Sequence, residues 1–78
     1  MDVKIAGDGA RIVISVTGRL NTTTAPDFNR AVQDAVDKAD DVTVDLKGLE
    51  FISSAGIRSI MTIRSRKGAQ NVHIVNAA

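Results

Sequence analysis

Apolar residues along this chain change their spacing repeatedly, from every second residue to about every 3.6 and back, which is the mark of strands alternating with helices. Val3 and Ile5 alternate with Lys4, Gly7-Asp8-Gly9 supplies a tight turn, and Ile12, Ile14 and Val16 alternate with Val13, Ser15 and Thr17. The chain therefore opens on a β-hairpin. After a polar connection from Gly18 to Thr23, Thr24 is placed to cap a helix with Pro26 and Asp27 in its first turn. Phe28, Ala31, Val32, Ala35, Val36 and Ala39 share one face of that helix, and Asn29, Arg30, Gln33, Asp34, Asp37 and Lys38 the other. Val42, Val44 and Leu46, alternating with Thr43 and Asp45, predict a third strand. A second helix is predicted from about Ser54 to Lys67, with Ile57, Ile60, Met61 and Ile63 as its apolar stripe, cations in its last turn and Gly68 as its stop. Val72 and Ile74 then start a fourth strand around His73.

The order β-β-α-β-α-β requires helical crossovers between parallel strands, and such crossovers are right-handed. If successive strands are neighbours, both helices lie on one face of a mixed sheet. Lys4, Ser15, Thr17, Thr43, Asp45 and His73 alternate with the apolar set, so the opposite face is expected to be wet. With 78 residues there is room for one domain, 1–78, arranged as two layers. Only Asn76, Ala77 and Ala78 follow the last strand, so its outer edge is expected to be open to pairing with a partner or a second copy.

Composition removes several functional classes. Ten basic against nine acidic residues leave a net charge of +1, which gives no general attraction to nucleic acid or anionic lipid. The two aromatic residues, Phe28 and Phe51, are assigned to the core, so no stacking platform for bases is expected. One histidine, no cysteine and a single glutamate, Glu50, provide no nucleophile–base pair, metal cluster or cofactor site, and the protein is not expected to be an enzyme. No apolar run approaches the ~20 residues that span a bilayer, and a cytoplasmic location is the default.

The most informative segment is Val44 to Ile60, a strand leading through a short turn into a helix that opens on Ser53 and Ser54. Free backbone N–H groups and the positive end of the helix dipole meet at such a start, so a phosphate on either hydroxyl is compatible with the fold. The simpler role for both serines is helix capping, worth about 1 kcal/mol. Gly56 is placed to permit close approach to the sheet or to a partner, and Arg58, one turn after Ser54, to sense its charge. Asp45 is expected to be a solvated or loop-bonding carboxylate on the wet face, with anchoring of the Ser53–Ser54 turn as its alternative role, and His73 a surface residue.

Val44-Asp45-Leu46-Lys47-Gly48-Leu49-Glu50-Phe51-Ile52-Ser53-Ser54-Ala55-Gly56-Ile57, preceded by Gly18-Arg19-Leu20-Asn21-Thr22-Thr23-Thr24-Ala25, resembles the STAS domain, found in anti-sigma factor antagonists and in the tails of sulfate transporters. The resemblance implies a two-layer STAS-like (SpoIIAA-like) α/β domain that lacks the family's usual C-terminal helix and final strand. It further implies a partner switch: the unphosphorylated protein binds an anti-sigma factor that is also a serine kinase, phosphorylation at Ser54, or secondarily Ser53, ends binding, and a PP2C-type phosphatase resets the state. Asn21, Thr22, Ser53, Ser54, Ala55, Gly56 and Arg58 become the implied partner-binding residues. Family members often carry an acid where this chain has Ser53 and another where it has Asn21, which makes this site less negative. Two further readings follow from the resemblance: a non-phosphorylated accessory subunit of a transporter ATPase or stress-sensing complex, and a nucleotide-binding role.

Overall fold

The computed structural model describes residues 1–76, and its elements follow the predicted order. β1 (Asp2–Gly7) and β2 (Arg11–Leu20) form the hairpin, α1 (Ala25–Lys38) crosses to β3 (Asp41–Ile52), and α2 (Ser54–Lys67) with a 3₁₀ turn (Ala69–Asn71) crosses to β4 (Val72–Val75). The sheet order is β1-β2-β3-β4, antiparallel between the first two strands and parallel between the rest. Neighbouring strands joined in sequence place both helices on the same side.

Register explains the core. Ile12, Ile14 and Val16 of β2 lie level with Val42 and Val44 of β3 and Val72 of β4, and all are buried beneath the helices. Helix α1 adds Ala25, Phe28, Val32 and Val36, of which Phe28 is wholly inaccessible. The opposite face carries Lys4, Val13, Ser15, Thr43, Asp45 and His73, and no helix covers it among the described residues. Ser59 is the one buried polar residue among those described, and its hydroxyl donates to the Ala55 carbonyl one turn earlier.

Several expectations are corrected. Thr24 does not cap α1 through its side chain. Its hydroxyl instead accepts from the Asn21 N–H and donates to the Arg19 carbonyl, while the Asn21 side-chain oxygen accepts from the N–H groups of Thr23 and Thr24. Asn21 thus closes the loop, as short amide side chains do by bonding the backbone two residues on. β3 continues six residues past Leu46. Three steps on β3, Asp45 to Gly48, match two on β2, Ser15 to Thr17, and a second extra residue lies between Leu49 and Phe51. These bulges turn Leu46, Leu49 and Ile52 toward the core at intervals of three. They also leave Phe51 on the open face, 43% exposed, where sequence had assigned it to the core. In α2 the inward face is Gly56, Ser59, Ile60 and Ile63, whereas Ile57 and Met61 are exposed.

The two sheet edges are held locally. The Asp8 carboxylate accepts from the N–H groups of Arg11 and Ala10, which closes the β1–β2 turn and holds its pKa below the ordinary value. Asp45 accepts from the Asn76 amide and the Lys47 N–H, with the same effect, the amide contributing most. His73 lies 3.0 Å from an Asp41 oxygen, a second tie between β4 and β3.

Candidate functional site

The end of β3 and the start of α2 are built around Ser53. Its extended backbone (φ −95°, ψ 176°) ends the strand, its N–H donates to the Leu20 carbonyl at 2.9 Å, and its carbonyl accepts from Ile57 N–H. Its Oγ accepts from Gly56 N–H at 3.4 Å, so Ser53 is the N-cap of α2. Ser54 is the first helical residue, exposed, and its hydroxyl makes no side-chain hydrogen bond among the described residues. The two serines therefore differ in kind: one is committed to the turn, the other presents an unengaged nucleophilic oxygen at the positive end of a helix.

Gly56 fixes how closely α2 approaches the sheet. A Cβ at this position would stand 2.8 Å from Leu20 Cγ, from the Leu20 carbonyl oxygen and from Ile52 Cγ1. Gly56 is buried, so it offers no surface to a partner, and its contribution is to seat the helix start on the ends of β2 and β3.

Thr22, Ala55 and Arg58 come together in one cleft of about 240 Å³ between the loop before α1 and the first turns of α2, with Pro26, Asn29, Ser59 and Thr62 completing its walls. Thr22 is positioned there by the Asn21-centred loop, whose Asn21 side chain spends its oxygen within that loop. The first turn of α2 contains no acidic residue, while Arg64, Arg66 and Lys67 occupy the last. Arg66 pairs with Asp37 of α1. Asp45 and His73 bond other partners and take no part in this turn.

Two features of this end were missed by sequence reasoning. The Arg19 guanidinium lies over the Phe51 ring, 4.5 Å from its centroid, on the open face of the sheet beside the Ser53 turn. Ile57 and Met61 project from the first two turns of α2 into solvent. A recognised bulge at Gly48, whose missing Cβ accommodates the Thr17 side chain, was the available signal for Phe51. Among the described residues there is no cluster of His, Cys, Asp or Glu able to hold a metal ion, and no helix is long and apolar enough to cross a membrane.

The comparisons with known proteins fit this geometry. No protein of curated function matches the sequence. The fold is shared with the anti-sigma factor antagonist SpoIIAA in its unphosphorylated form (13% identity, TM-score 0.80, 99% of this chain and 74% of that one). SpoIIAA, a cell fate determinant of Bacillus, shares it equally in its phosphorylated form (15% identity, TM-score 0.78, 99% and 74%). An anti-sigma factor antagonist from Mycobacterium paratuberculosis matches at 23% identity and TM-score 0.83, over 94% of this chain and 64% of its own. The murine anion transporter Slc26a9 matches at 14% identity and TM-score 0.62, over 83% of this chain and 11% of its own. The family model described as Mlab, STAS domain, covers residues 3–78, and the chain belongs to the STAS domain family.

Proposed function

We propose that this protein is an anti-sigma factor antagonist whose binding to an anti-sigma factor with serine kinase activity is switched off by phosphorylation of Ser54. The observation that carries the reading is the exposed, unengaged Ser54 hydroxyl at the first position of an acid-free helix start, beside a cap, Ser53, whose own hydroxyl is in use. Phosphate would add about −1.5 to −2 charges there, and the helix dipole and free N–H groups would tolerate it without unfolding the domain. Buried against a partner, the same charge would cost more than the ~2.7 kcal/mol that weakens binding a hundredfold. A PP2C-type phosphatase would restore the binding form. The structural likeness to SpoIIAA in both phosphorylation states supports the reading.

The test uses the protein with ATP and an anti-sigma serine kinase, followed by intact-mass and fragment analysis. Ser54→Ala abolishes phosphate incorporation, Ser53→Ala retains it, and Ser54→Asp loses kinase binding. Unchanged kinase binding by Ser54→Asp would sink the proposal. A second reading, a STAS accessory subunit that is not phosphorylated, is favoured by the Mlab description of the family model and by the transporter that shares the fold. It requires Ser54 to resist the kinase and the protein to form a stable complex with a transporter ATPase subunit.

A further inference from the structure

One flank of α2 faces neither the sheet nor α1. Ala55, Ser59, Thr62 and Arg66 line the clefts against α1, and Gly56, Ser59, Ile60 and Ile63 are buried toward the sheet. At about 100° per residue, Ser54, Ile57, Met61 and Arg64 fall in a single row on the flank that remains. All four are exposed, Ile57 by 51% and Met61 by 45%. Anchors spaced in this way are what one helix offers to another along a shared seam, and methionine suits an adaptable apolar contact.

Charge decides the occupant. α2 carries Arg58, Arg64, Arg66 and Lys67 and no Asp or Glu. Arg66 is matched by Asp37, while Arg58, Arg64 and Lys67 have no ion pair among the described residues. Two copies of α2 set side by side would repel. The outer surface of α1 supplies acids, Asp27, Asp34 and Asp37, but none of the large exposed apolar residues lies on it. The helices of a second copy therefore offer either the wrong charge or no apolar row, and pairing with the open sheet face of a second copy is an outcome that sedimentation distinguishes.

We propose that Ser54, Ile57, Met61 and Arg64 form a docking seam for an acidic amphipathic helix of a partner protein. Ile57 and Met61 pack on the partner's apolar stripe, and Arg64 pairs with its carboxylates. Ser54 stands at the end of the seam, where a phosphate would face those same carboxylates, so like-charge repulsion adds to the loss of binding. This rests on the reading of the α2 start as a partner surface and adds the chemistry of the partner.

The probe is a stapled helical peptide with leucine at its inward positions and glutamate on both flanks, compared with the same peptide carrying lysine for every glutamate. Titrated into the isotope-labelled full chain, the glutamate peptide shifts the amides of Ser54 through Arg64, and the lysine peptide leaves them in place. Met61→Glu and Arg64→Glu each weaken the glutamate peptide by about tenfold or more, whereas Lys38→Glu on α1 has no effect. Circular dichroism confirms that each variant is folded. Equal binding of both peptides, shifts centred on α1, no shifts with either peptide, or indifference to Arg64→Glu overturns the proposal. So does a dimer in sedimentation that Met61→Glu abolishes, which would assign the row to a second copy. If Ser54→Asp loses the anti-sigma kinase while Met61→Glu and Arg64→Glu keep it, the seam falls and the phosphorylation switch stands. If the seam variants lose the kinase and Ser54→Asp keeps it, the switch and the charge effect at Ser54 fall, and the seam stands on Ile57, Met61 and Arg64 alone.

Discussion

α1 and α2 have the same length, fourteen residues each, and lie on the same face of the sheet as successive crossovers, yet they treat their apolar residues differently. α1 buries Phe28, Val32 and Val36 and presents an outer surface of mixed charge, with an Asp27–Arg30 pair one turn apart. α2 buries Ile60 and Ile63 behind the small Gly56 and Ser59, and leaves Ile57 and Met61 in water among cations. Large apolar residues left outside the core, on a helix of one charge sign, are what the proposed docking seam would use. α1 is built to hold the domain together. On the proposed reading, the start and outer flank of α2 are left for a partner.

That contrast can be broken by stability measurements. Phe28→Ala on α1 should cost about 3–5 kcal/mol in urea unfolding, since the ring is fully enclosed, whereas Met61→Ala on α2 should stay within about 0.5 kcal/mol. Similar losses from both would mean that α2 uses its outer flank for folding after all. Gly56→Ala should cost about 1–3 kcal/mol, because the new methyl meets Leu20 and Ile52 at 2.8 Å. It should also shift the helix start enough to weaken any partner bound at Ser54. Between the paired serines, Ser53→Ala should cost about 1 kcal/mol as a lost cap, and Ser54→Ala should leave the unfolding midpoint nearly unchanged.

The smallest expected effect concerns acid. Asp8 and Asp45 have folded-state pKa values below the ordinary 3.8, Asp8 through the Arg11 and Ala10 N–H groups and Asp45 through the Asn76 amide and the Lys47 N–H. A carboxylate with a depressed folded pKa adds stability that is complete above its unfolded value and is lost as pH falls through the folded one. Acid sensitivity from these two groups therefore begins as pH drops below 3.8 and comes from the hairpin turn and the β3–β4 end, neither of them on a helix. Asn76→Ala should reduce the Asp45 share, leaving the part due to the Lys47 N–H and both helices as they were, which a pH series of unfolding midpoints would show.

Much of this was legible because strands and helices of a one-sided sheet leave different apolar periods. The alternation of Ile12, Ile14 and Val16, and of Val42 and Val44, named the buried side of the central strands, and the face containing Phe28, Val32 and Val36 named the side of α1. What the periods concealed lies where a bulge or a glycine resets them. Leu46, Leu49 and Ile52 point inward at intervals of three because β3 carries two extra residues, a spacing that reads as a turn and not as a strand. Phe51 was misplaced for that reason. In α2 a five-residue run from Ile57 to Met61 contains three large apolar residues, and only packing against Leu20 and Ile52 through Gly56 decides that Ile60 goes in while Ile57 and Met61 stay out. The paired serines marked the site, but which of them caps and which is free depends on a backbone geometry that both residue types accept equally.

The most direct test of the division between the helices is hydrogen exchange of this protein bound to an anti-sigma serine kinase loaded with a non-hydrolysable ATP analogue, so that Ser54 stays unphosphorylated. Slowed exchange should run from Ser53 to Arg64, with the second half of α1, Gln33 to Lys38, exchanging as in the free protein. Protection of that half of α1 with α2 unchanged would contradict the account.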